Sequence, residues 1–120
     1  LDTNAVIQSP EVLASARRLK ILIPKAVLGE LTAHGRQHIR NVVGTLISSA
    51  LDAGAEIVDA PAHIKNELIA SDRHAQRLGS ADIAVARIAI DLTERGIPAC
   101  VVTLDSALRV FLDSRSIRSV

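Results

Sequence analysis

The sequence predicts an α/β fold, a mostly parallel sheet with helices on both faces, and three observations carry that prediction. Short Val- and Ile-rich runs alternate with longer helical stripes; no hairpin signal joins two runs; and 120 residues at 48% hydrophobic content suffice for one core but not two. Strands that are not joined by hairpins need crossovers, and the helical stripes between them supply these. A single domain follows, since no Gly/Ser-rich or Pro-rich linker, repeat or low-complexity run divides the chain.

Taken in order, Ser9 is an N-cap with Pro10 at the first helical position, which opens a helix towards Leu19. The apolar run 21–23 is the next strand candidate. A helix over 24–33 follows, with Val27, Leu28 and Leu31 as its stripe and Gly35 as its stop. Val42, Val43, Leu46, Ile47 and Leu51 form a third stripe, ended by Gly54, and 56–58 is a strand. The stretch 64–78 reads as one or two helices with weak caps. The longest helix is predicted over 80–94, with Ser80 as N-cap, apolar residues on most sides and Gly96 closing it. Runs 99–104 and 117–120 complete the strand candidates, each short enough to be a buried parallel strand.

Composition excludes several classes of function. Lys+Arg 14 against Asp+Glu 13 leaves a net charge of +1, so no global field draws the chain onto a polyanion or a bilayer, and any nucleic-acid affinity must be local. Phe111 is the only aromatic residue, which removes a stacking platform for bases. The single cysteine, Cys100, excludes an internal disulfide and a multi-cysteine zinc site and fits a reducing, cytoplasmic setting. No apolar stretch approaches the roughly 20 residues of a membrane helix, and no signal peptide is visible. The chain opens on Leu1 and has no methionine, so the beginning of its first strand is expected to be missing.

In open parallel sheets, ligands bind beyond the carboxyl ends of the strands. Asp2, followed by Thr3 and Asn4, stands at the end of a shortened first strand, and Asp105 directly follows the run 101–104. Helix capping explains either acid alone, but less readily the two together. Glu30 and Asp82 lie beside the apolar stripes of two helices, where a carboxylate is costly unless paired or coordinated. The competing explanations are a solvated flank for Glu30 and a favourable first-turn dipole for Asp82. If the four acids converge, the cluster is rich in oxygen and free of cysteine, which suits Mg²⁺ or Mn²⁺ over zinc. Two like charges about 4 Å apart repel by about 4 kcal/mol at an effective dielectric of about 20, so such a cluster calls for a cation or a proton.

Four segments, LDTNAVI, PKAVLGEL, SADIAVARIA and VVTLDSAL, occur in an order that resembles the PIN domain family of metal-dependent nucleases, over nearly the whole chain. The resemblance implies one PIN-like domain over residues 1–120 and a strand order of 3-2-1-4-5. It further implies that Asp2, Glu30, Asp82 and Asp105 are the acidic quartet, with Asn4 and Thr103 as supporting polar residues. The implied activity is hydrolysis of RNA phosphodiester bonds assisted by Mg²⁺ or Mn²⁺, with Asp2, Asp82 and Asp105 as primary ligands and Glu30 completing the shell or acting through water. No second acid follows Asp105 closely, so one metal is expected to be held firmly and a second only with substrate. The stretch 33–78 carries no family motif.

The RNA backbone needs cations, and His34, Arg36, His38 and Arg40 are the first local candidates, with Arg73, His74 and Arg77 second; a solvated basic turn explains the first group about as well. A transition-metal site at His34 and His38 is disfavoured because no HExxH acid accompanies them. Many PIN proteins of this size resemble the toxin of a toxin–antitoxin pair, active as a homodimer and covered by an antitoxin protein. A PIN domain of a longer RNA-processing protein is the close rival. From other classes, a non-catalytic α/β interaction module keeps the fold and uses its acids structurally, and a receiver-type phosphoryl-transfer domain needs a lysine that 101–109 lacks.

Overall fold

In a computed structural model, the described residues are 20–33, 35–64, 73 and 78–120. The expected first strand with Asp2 and Asn4, the helix from Ser9, most of the helix or helices over 64–78, and His34, His74 and Arg77 lie outside them. The described elements alternate as α/β, in the order β1 (Leu22–Pro24), α1 (Lys25–Thr32), α2 (Gln37–Asp52), β2 (Glu56–Val58), α3 (Ser80–Glu94), β3 (Cys100–Val101), α4 (Ser106–Ser114) and β4 (Arg118–Ser119).

Both strand pairings are parallel. β1 pairs with β2 in the register Leu22 to Glu56, and β3 pairs with β4 in the register Cys100 to Arg118. Helices form both crossovers, α1 and α2 in the first and α4 in the second, as parallel neighbours require. The strands are shorter than the apolar runs that predict them. Val101 and Val120 nevertheless continue the second pairing, because Val120 N–H donates to Val101 at 2.9 Å and Thr103 N–H donates to Val120 at 3.1 Å. The expectation that each run is a buried strand fails at β2, where Glu56 and Ile57 are exposed. There Lys20 Nζ bridges the Gly54 carbonyl at 2.8 Å and the Glu56 carboxylate at 2.9 Å, a solvent-facing arrangement.

Helix α3 is the central packing element and contacts α1, α4, β1 and β3. Its sequence explains that position, since Ala81, Ala84, Val85, Ala86, Ala89 and Ile90 are all buried and their small volumes allow close approach from several sides. Two details differ from expectation. The N-cap is Gly79 rather than Ser80, because Asp82 sits at the third helical position and its carboxylate reaches back to the Gly79 N–H at 3.3 Å. The longest described helix is α2, at 16 residues against 15 for α3, because α2 starts at Gln37 and absorbs part of the basic segment.

Three helices end alike. After α2, α3 and α4, a residue with positive φ (Gly54 at 108°, Gly96 at 73°, Ser116 at 57°) is followed by an apolar residue whose N–H donates back to Ala50, Leu92 or Leu112, each at 2.9 Å. These are Schellman closures, in which the left-handed residue lets the chain turn sharply out of the helix. Phe111, Leu108, Leu112, Ile23, Leu31 and Val27 are fully buried in the core. Phe111 is thus unavailable to stack on a base, and Arg115 lies 5.3 Å from its ring centroid. Among the described residues, no helix is long and apolar enough to cross a membrane.

Candidate functional site

The turn from β3 into α4 is the best-defined part of the site. Thr103 is fully buried, and its hydroxyl accepts the Asp105 N–H at 3.0 Å, so the polar side chain sits inside with its hydrogen bonding met. Asp105 is half-buried in an extended conformation (φ −80°, ψ 116°) and caps α4, its Oδ1 accepting the Leu108 N–H at 2.9 Å. This is the geometry of the capping alternative. It does not exhaust the side chain, because an ionised carboxylate offers about four lone-pair sites and this cap takes one. Thr103 therefore fixes the backbone of the turn, and the cap fixes the side chain on it.

Asp82 also stands at a helix start, at the third position of α3 rather than at its N-cap. It is half-buried in the first helical turn, where the helix dipole favours a negative charge, and it accepts the Gly79 N–H. Helix α3 packs on α4 and also on α1, the helix that carries Glu30. Glu30 itself is exposed. α1 buries Val27 and Leu31 at a spacing of four, and Glu30 falls outside that stripe, so the solvated flank describes its position and no burial penalty attaches to it.

The three acids thus lie on α1, on α3 and at the N-cap of α4, with α3 packed on both of the other helices. Among the described residues, however, no group of three or more His, Cys, Asp or Glu side chains is close enough together to hold a metal ion. Asp2 and Asn4 lie outside the described residues. The donor chemistry of Asp82 and Asp105 fits a hard divalent cation, being carboxylate oxygen, while Cys100 is a free, exposed thiol.

Of the basic candidates, Arg36 is the N-cap residue of α2, His38 is exposed and Arg40 half-buried in its first turns, and Arg73 is exposed. Arg40 donates to the Gln37 side chain, and Gln37 donates to Asn41 Oδ1 at 2.9 Å. No acid stands in the first turn of α2, so the positive end of the helix dipole adds to these cations.

Two arginines have roles that the sequence did not suggest. Arg109 Nε donates to the Thr103 carbonyl at 3.3 Å, which folds this side chain back over the turn that presents Asp105. The available signal was its spacing, four residues after Asp105 and on the same side of a helix. Arg87, half-buried on α3, donates to the carbonyls of Pro61 (2.8 Å) and Ile64 and ties that segment to the helix. No local pattern announces partners more than twenty residues away. Asp91, one turn further along α3, pairs with His63 at 3.1 Å and Arg95 at 3.2 Å.

Compared with known families, residues 1–120 match the model of the PIN domain. No curated protein and no solved structure matches the chain.

Proposed function

Because the chain belongs to the PIN domain family, whose members are typically nucleases that act on RNA and generally use divalent metals, we propose that it is a ribonuclease dependent on Mg²⁺ or Mn²⁺. The observation that carries this reading is the placement of Asp82 and Asp105, both half-buried at the starts of two helices that pack on each other. Asp2, Asp82 and Asp105 are proposed as the ligands, with Glu30, which is exposed, acting through water. When bound, the cation supplies a charge that acidifies water and offsets negative charge building on the phosphate. The residues of the chain do the rest. Thr103 holds the Asp105 backbone, the two helix starts position Asp82 and Asp105, and Asn4 orients a neighbouring carboxylate. Arg36 and Arg40 meet backbone phosphates beside the positive end of α2.

A second reading, a non-catalytic module of the same fold, is favoured by one observation: Asp82 and Asp105 both already accept backbone N–H groups at helix starts. Calorimetric titration of Mn²⁺ into the protein, with cleavage of a mixed-sequence RNA with and without chelator, separates the two. Saturable binding with chelator-sensitive cleavage supports the nuclease; absence of both supports the module. We further propose cytoplasmic action, with either an antitoxin protein and a homodimer or a longer RNA-processing protein as the setting. Size-exclusion with light scattering tests the homodimer.

A further inference from the structure

We propose that Arg109 is a substrate-positioning residue, which grips a non-bridging oxygen of an RNA phosphate next to the bond that is cut; this rests on the nuclease reading above. Its helix position, four residues after Asp105, would ordinarily favour an ion pair with that acid. Among the described residues no such ion pair is present. The guanidinium is tied instead, through Nε, to the carbonyl of Thr103, two residues before the acid. That bond takes one of its five N–H donors and holds the planar group beside the Asp105 turn without neutralising the carboxylate.

The electrostatics call for such a group. On the nuclease reading, the carboxylates proposed as ligands repel a phosphate and a net charge of +1 supplies no compensating field, so a side-chain cation at the same turn helps the metal to draw the phosphate in. An arginine suits phosphate better than a lysine does, because its rigid fork matches two oxygens and, already anchored, loses little freedom on binding. Arg36 and Arg40 belong to the start of another helix, α2.

The test compares wild type with Arg109→Ala, Arg109→Gln and Arg109→Lys. Binding of a labelled mixed-sequence single-stranded RNA is followed by anisotropy in Ca²⁺ at several salt concentrations. Arg109→Gln keeps a donor for the Thr103 carbonyl and removes the charge, so it also serves should Arg109→Ala fail to fold. The expected result is about tenfold weaker RNA binding for both neutral variants, and a salt slope lower by about 0.7, as for one lost single-strand phosphate contact. Mn²⁺ affinity should be unchanged, and Arg109→Lys should restore the slope. Wild-type affinity and slope in Arg109→Gln, with wild type itself binding Mn²⁺ and cleaving RNA, overturns the role of Arg109 alone. Failure of wild type to bind either Mn²⁺ or RNA overturns the nuclease reading and this proposal with it.

Discussion

Asp105 is both a helix cap and a proposed metal ligand, and two substitutions separate these roles. Asparagine keeps an oxygen acceptor and caps about as well as aspartate, whereas alanine removes the acceptor at a cost of about 1 kcal/mol. In this protein the orphaned donor is the N–H of Leu108, a fully buried residue, which pushes the alanine penalty towards about 2 kcal/mol. An unfolding entropy of about 2.1 cal/mol/K per residue comes to about 0.25 kcal/mol/K over 120 residues, so 1 kcal/mol moves Tm by about 4 °C. Without metal, Asp105→Ala should therefore melt about 4–8 °C below wild type. Asp105→Asn should stay within about 2 °C, since it keeps the capping oxygen and loses only a fraction of a kcal/mol of dipole interaction. Mn²⁺ at a hundred times its Kd should add about 2.7 kcal/mol, or about 11 °C, to wild type and nothing to either variant. The chain has neither Trp nor Tyr, so the melts are followed by circular dichroism at the helix band. The reasoning is refuted if Asp105→Asn gains the wild-type Mn²⁺ shift, or if it melts as low as Asp105→Ala.

Ser116→Gly should raise Tm by about 2 °C: a left-handed residue costs an L-amino acid about 1–2 kcal/mol, glycine loses about 0.5–1 kcal/mol of backbone entropy, and the difference is about 0.5 kcal/mol. A lower Tm by circular dichroism would contradict it. Arg87→Ala should lose about 3 kcal/mol in urea, with an unchanged m-value, because two charge-assisted bonds to the Pro61 and Ile64 carbonyls disappear; a loss below about 1 kcal/mol would show that solvent replaces them. The double variant Arg36→Ala with Arg40→Ala should lower the salt slope of RNA binding by about 1.4, two phosphate contacts. Unchanged binding would sink that assignment.

What could be read from the sequence was local. Gly54 and Gly96 marked their helix ends because a left-handed turn is cheap only for glycine, and both occupy it. Ser116 makes the same closure with no such signature, and the whole of α4, short and lying between two apolar runs, is absent from the sequence reading. Gly35 shows the converse: α1 already stops at Thr32, with Ala33 as its C-cap, before the glycine is reached. The runs 99–104 and 117–120 are longer than the strands because hydrophobicity persists beyond the paired residues; the backbone bonding of the second pair reaches Thr103 and Val120, while Leu104 is exposed. The links of Arg87 and Arg109 to backbone carbonyls depend on which segments meet in space, and no periodicity encodes that.

The acids show why a site is harder to read than a fold. Asp82 and Asp105 each have a complete local explanation, since a helix start favours an acid whether or not a metal is near. Capping, however, asks for an oxygen, and asparagine supplies one as well; what aspartate adds is a charge. At an exposed helix start that charge is worth less than about 1 kcal/mol. Asp105 is half-buried, beside a fully buried threonine and an arginine that makes no ion pair with it among the described residues. With spare lone pairs on the capping carboxylate and a cation held one turn away, the proposed ligand role and the helix cap are compatible at the same side chain.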